Sequence, residues 1–143
     1  MVTEIDAAYF AGFFDGEGCI LIAKDSGLRH GKRPSYTLTT IVGNIDKRPL
    51  TWLHDKFGGD LRPSLREGRQ TVYYWRVSAK KAETFVRWIR PYLLVKAIQA
   101  WLGLEFLASR GLGGGRGRPL TDEDYALREG FYLALQNAKK DVY

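Results

Sequence analysis

Two carboxylates stand two residues apart at the end of an apolar segment, in Tyr9-Phe-Ala-Gly-Phe-Phe-Asp-Gly-Glu-Gly18. Asp15 and Glu17 alternate with Gly16 and Gly18, and glycine lets another backbone or a phosphate come close. Carboxylate oxygens hold hard divalent cations such as Mg²⁺ or Mn²⁺. The chain around them is basic: 22 Lys and Arg against 16 Asp and Glu give a net charge of +6. Acid at a glycine-flanked helix exit, inside a cationic protein, points to a metal held against a polyanion. An Asp-Gly-x-Gly turn alone is an ordinary surface feature, and the spacing before it is what raises its significance. Ala8, Gly12 and Gly16 recur every four residues, a stripe of minimal side chains that lets two helices meet backbone to backbone. Tyr9, Phe10, Phe13 and Phe14 are left to anchor the helix in a core. Two such helices crossing on a two-fold axis would set their acidic ends side by side over a pair of phosphates.

The elements that position these residues follow from capping and periodicity. Thr3 and Asp6 form a capping box that opens a helix to about Phe14. A short strand follows at residues 19–24, then a polar segment at 25–34. Ser35-Tyr-Thr-Leu-Thr-Thr-Ile-Val42 alternates with period two and predicts a second strand. Asp46 caps a short helix that tolerates Pro49 in its first turn and stops at Gly58-Gly59. Residues 61–65 and 71–78 flank a glycine-bearing turn, a hairpin pattern. Ser78 caps the next helix, whose Ala82, Phe85, Val86 and Ile89 fall at i, i+3, i+4 and i+7. Pro91 ends it, and another helix runs to about Ala108. Thr121 and Asp124 open a last helix to about Lys139. The expected fold class is α+β: an αββαββα core with a saddle-shaped antiparallel sheet, plus C-terminal helices. Residues 1–109 make the core, 110–120 a Gly/Arg-rich linker, and 121–143 a C-terminal helix of the same domain.

Composition closes several alternatives. Hydrophobic residues at 45% exclude a disordered chain. Cys19 is the only cysteine, so no internal disulfide or cysteine-based zinc site exists. His30 and His54 lack metal-ligand spacing, and residues 111–117 fail the dinucleotide-binding glycine pattern. No apolar run approaches the roughly 20 residues of a membrane span, and the N-terminus does not read as a secretory signal. The expectation is a soluble intracellular protein of the cytoplasm, nucleoid or an organelle, with no membrane partner.

Phe10-Ala-Gly-Phe-Phe-Asp-Gly-Glu-Gly18 resembles the signature of the LAGLIDADG homing endonucleases. The likeness continues in order through Val42-Gly-Asn-Ile-Asp46, Phe57-Gly-Gly59 and Pro91-Tyr-Leu-Leu-Val-Lys96, covering roughly residues 5–108. One copy of the motif is present, which in this family implies a homodimer with Ala8, Gly12 and Asp15 at the interface. The resemblance implies that Glu17 ligates a catalytic Mg²⁺ or Mn²⁺, with the Gly16 carbonyl nearby, and that Asp15 supports the helix end. Glu17 stands where Asp is commoner, which moves the carboxylate by about one bond. Asn44 falls where a polar side chain orients solvent near the attacking water. Arg48 and Lys96 match basic residues around the active site, Lys96 being the better placed to stabilise developing charge. The implied activity is Mg²⁺-dependent hydrolysis of both strands of a long double-stranded DNA site, with short 3′ overhangs. A chain this short, without splicing-domain sequence, fits the intron-encoded type. The alternatives on the same fold are a maturase whose partner is intron RNA, and an inactive DNA-binding regulator.

Strand alternation predicts which residues read DNA. Ser35, Thr37, Thr39 and Ile41 share the outward face of the second strand, Arg62, Ser64 and Arg66 that of the third, and Tyr74 and Arg76 that of the fourth. Short polar groups and arginines suit base edges and phosphates. Arg29, His30, Lys32 and Arg33 cluster in the polar segment as further DNA contacts. The first strand fits less well, because Leu21, Ala23 and Asp25 face the DNA while Lys24 faces the core; a bulge near Ala23 would repair this. A strand of about eight residues spans roughly 26 Å, or about eight base pairs at 3.4 Å each. A dimer would therefore read a long pseudo-palindrome.

Overall fold

Thr3 and Asp6 exchange side-chain-to-backbone hydrogen bonds of 3.0 and 3.1 Å, the reciprocal cap that starts α1 (Glu4–Glu17). The structure, a computed structural model, describes residues 2–110 and 119–140. α1 gives way directly to β1 (Gly18–Asp25). A Cβ at Gly18 would lie 2.2 Å from the Phe14 ring, so packing admits only glycine where helix becomes strand. A 3-10 turn at Leu28–His30 leads to β2 (Ser35–Asn44). Asp46 caps α2 (Lys47–Phe57) by accepting the Arg48 N–H at 3.0 Å. Gly58 and Gly59 then take φ of +74° and +88°, a conformation that stops the helix and favours glycine. The hairpin of β3 (Asp60–Ser64) and β4 (Val72–Ser78) follows. α3 (Ala79–Ile89), a 3-10 turn at Arg90–Tyr92, α4 (Ala97–Arg110) and α5 (Asp122–Lys140) complete the chain. Thr121 and Asp124 cap α5 reciprocally, as predicted. The predicted linker falls at 110–120, of which residues 111–118 lie outside the described residues.

The strands form one antiparallel sheet in the order β1-β2-β4-β3. Ile20, Ile22, Leu38, Val42, Trp75 and Val77 line its covered face. They join Phe14, Leu50, Phe85, Phe106 and Leu135 from the helices in one core. The α+β architecture and element order are therefore those expected. Trp75 closes its own polar end by donating Nε1–H to the Gly58 carbonyl at 2.8 Å. Thr40 does not: its hydroxyl is buried on the covered face with no partner among the described residues.

Three expectations need correction. β1 and β2 pair without interruption from Gly18↔Val42 to Asp25↔Ser35, so there is no bulge at Ala23. Lys24 does point to the helical side, where Glu129 of α5 accepts from its ammonium at 2.5 and 2.8 Å. Tyr36 donates to the same carboxylate at 3.1 Å. The Lys24 hydrogen bond holds Glu129 below the usual carboxylate range, and Glu129 in turn raises Lys24. An edge strand covered by a helix can thus carry a lysine on its inner face. Second, Leu65, expected to close the strand at 61–65, lies beyond β3 and is 78% exposed. Third, Ser78 precedes α3 without a side-chain cap, because its hydroxyl is 3.0 Å from that of Thr39.

Candidate functional site

Glu17 is the last residue of α1 and Asn44 the last of β2, and both are brought to one open cleft of about 650 Å³. Cys19, Ile41, Gly43 and Tyr74 also line it. Glu17 is exposed. Asn44 Oδ1 accepts the Asp46 N–H at 2.8 Å, which fixes the amide at the start of α2. The Tyr74 ring lies against Gly43 so closely that a Cβ there would be 2.6 Å from it. Cys19 was not singled out by sequence reasoning, although strand alternation places it on the same face as Leu21, the face that opens onto the cleft.

Asp15 is turned away to a different task. Its carboxylate accepts the backbone N–H groups of Leu94 (2.8 Å) and Lys96 (2.9 Å). The Lys96 ammonium donates to the Asp15 carbonyl at 2.5 Å. The segment entering α4 is thereby tied to the end of α1, with a cation against the negative end of that helix. Arg48 stands apart from the cleft lining: its guanidinium is 2.6 Å from Asp46 and largely exposed. Its hydrogen bonds hold the Asp46 carboxyl down to about 2. The structure therefore gathers Glu17 and Asn44, fixes Lys96 two residues from Glu17 through Asp15, and leaves Arg48 in a local ion pair.

As a metal site, one chain supplies little. Among the described residues no three Asp, Glu, His or Cys side chains cluster to hold an ion. Glu17 and the adjoining Gly16 carbonyl are hard oxygen donors suited to Mg²⁺, but two donors fall short of its six ligands. Beside them, α1 presents a bare surface. Ala8, Gly12 and Gly16 are exposed, with Ile5 82% and Tyr9 60% exposed alongside. A Cβ added at Gly12 or Gly16 would meet nothing within 4 Å.

The sheet's second face follows the predicted alternation. Pairing sets Leu21, Ala23 and Asp25 beside Thr39, Thr37 and Ser35. It also sets Ile41 beside Arg76, Arg76 beside Asp60, and Tyr74 beside Arg62. Tyr74, Arg76 and Arg62 are exposed and, with Asp60, line a depression of about 290 Å³. Ser64 is half-buried and Arg66 lies in the turn after β3. Arg29, His30 and Lys32 are exposed on the β1–β2 connection. Two expected contacts change. Thr39 stands in the right row but is fully buried and bonded to Ser78, so it supports the face and presents no group from it. Arg33 is engaged by α5, 2.6 Å from Asp122 and with its guanidinium 3.7 Å from the Tyr125 ring centre.

No protein-family model matches the chain, and no curated protein does. Solved structures do match. The archaeal intron-encoded homing endonuclease I-Vdi141I, complexed with DNA, aligns with TM-score 0.73 and 14% identity over 94% of this chain and 84% of that one. The homing endonuclease I-TnaI aligns with TM-score 0.65 and 17% identity over 96% and 97%. The LAGLIDADG homing endonuclease I-GzeII, in complex with its DNA target, gives 0.66 and 16% over 91% of this chain but 43% of that one. The fold is that of the LAGLIDADG homing endonucleases. Within this LAGLIDADG fold the Glu17 cleft is continuous with the open sheet face, because Ile41 and Tyr74 belong to both. Among the described residues no helix is long and apolar enough to cross a membrane.

Proposed function

We propose that this chain is one subunit of a homodimeric, Mg²⁺-dependent homing endonuclease of the intron-encoded type, cutting both strands of a long pseudo-palindromic DNA site. The observation that carries the reading is the exposed Glu17 at the end of a bare helix face, in a cleft that opens onto an arginine-bearing sheet. I-Vdi141I and I-GzeII, which share the fold, were solved with DNA, and I-CvuI was solved with its target in the presence of Ca²⁺. This chain spans nearly all of I-TnaI and less than half of I-GzeII, which fits one subunit supplying half of a two-fold assembly.

In the dimer, the Ala8/Gly12/Gly16 stripes pack together and bring two Glu17 carboxylates and two Gly16 carbonyls close to the axis. These oxygens would hold Mg²⁺ or Mn²⁺, which would activate water and stabilise the leaving oxygen. Asn44, with its Oδ1 engaged by Asp46, retains Nδ2 to orient a water or phosphate oxygen. Lys96, held on Asp15, stabilises negative charge developing on the phosphate. Arg48 adds charge at the rim. Arg62, Ser64, Arg66, Tyr74 and Arg76 contact one stretch of the half-site, and Ser35, Thr37 and Ile41 another. Arg29, His30 and Lys32 reach the flanking backbone.

A plasmid pool carrying randomised inserts, incubated with the protein with and without Mg²⁺ and sequenced after linearisation, tests the reading. The expected result is metal-dependent double-strand cutting at one long, nearly symmetric sequence. DNA bound but never cut in any divalent cation would instead identify a regulator. Tight binding of structured intron RNA without cleavage would identify a maturase.

A further inference from the structure

α5 runs the length of β1, and three contacts fix its course. Asp122 meets Arg33 near the β1–β2 connection, Glu129 meets Lys24 at the end of β1, and Lys139 Nζ lies 3.4 Å from Cys19 Sγ at its start. The lengths agree. The helix rises about 15 Å from Glu129 to Lys139, and the strand spans about 17 Å between Cys19 and Lys24.

The last of these contacts carries a cation to the edge of the cleft, since Cys19 lines it together with Glu17. Lysines at the end of a helix are favoured by its dipole, which explains the residue type without explaining the direction. Lys139 reaches across the sheet edge to a thiol, a weak acceptor. Among the described residues it has no carboxylate partner. Gln136, one turn earlier, lines with it a groove of about 290 Å³ against Leu21 and Ala23, both from the open-face row. α5 thus stands as a wall beside the sheet, with its donor-bearing end nearest Glu17.

We infer that Lys139, assisted by Gln136, grips a backbone phosphate of the bound duplex beside the Glu17 cleft, making α5 one wall of the DNA channel. This rests on the reading of the open sheet as a double-stranded DNA surface. An ammonium on a flexible stem is a point-charge phosphate binder, and each such contact releases counterions on binding.

The test uses the full chain and a duplex selected by the wild type from a randomised pool. Lys139→Gln should weaken binding several-fold at low salt and flatten the plot of log K against log salt by about 0.9 per lysine removed. Lys139→Arg should keep the wild-type slope. Replacing single phosphates by neutral methylphosphonates should reveal one position near the cut that costs the wild type affinity and leaves Lys139→Gln unaffected. A Lys139→Gln protein with wild-type melting, affinity and slope would overturn the contact while leaving the DNA reading intact. A wild type that selects no duplex would overturn both.

Discussion

A carboxylate that accepts two backbone N–H groups, as Asp15 does from Leu94 and Lys96, is committed to holding chain segments together. Glu17, two residues on and exposed, has no such partners among the described residues, which leaves its carboxylate open to a ligand. Asp15→Asn keeps the shape but turns one acceptor into a donor facing an N–H. Denaturant unfolding should show a loss of about 1–3 kcal/mol, and an unchanged midpoint would mean that the 94–96 segment is held some other way. Thr40 offers the opposite case, since its buried hydroxyl has no partner among the described residues. Thr40→Val replaces it with a methyl and should gain about 1–2 kcal/mol in the same assay; a loss would show that the hydroxyl is satisfied in solution. The support role of Asp15 was readable from the motif it resembles, whereas its partner segment, some 80 residues away, was not. Alternation likewise put Thr39 in the correct row without revealing that its neighbours close over it.

Elements were legible wherever a local signal defined them. The Thr3/Asp6 and Thr121/Asp124 boxes, the Asp46 cap and the Gly58-Gly59 stop each act within a few residues, and each stands where expected. What could not be read was how elements dock. Lys24 looked misplaced because the carboxylate that accommodates it sits on α5, 105 residues later. The α1 face is the element on which the proposed dimer depends. Gly12 is exposed and a Cβ there meets nothing, so Gly12→Leu should leave the monomer's fold in place and raise helix propensity by up to about 1 kcal/mol. Its bulk should nevertheless keep two α1 helices from close approach. Sedimentation of wild type and variant across a concentration series should show a dimer that Gly12→Leu converts to a monomer with a wild-type or higher melting temperature. A variant dimer of unchanged affinity would remove the stripe from the interface.

At the scale of the molecule, charge and shape converge. A net charge of +6 favours a polyanion. The antiparallel sheet offers exposed arginines on one face, and the cleft at its end holds an exposed acid that the described residues of one chain do not build into a complete metal site. In the proposed dimer Glu17 is half of that site. Its most direct test compares wild type with Glu17→Gln on the selected duplex, with Mg²⁺, measuring binding and cutting separately. The amide keeps the size of the side chain and removes the charge that holds the metal. Unchanged or tighter DNA binding is expected, with cleavage lowered by at least about 10²–10³-fold. Equal cutting of both strands by the Glu17→Gln protein would contradict that role for Glu17.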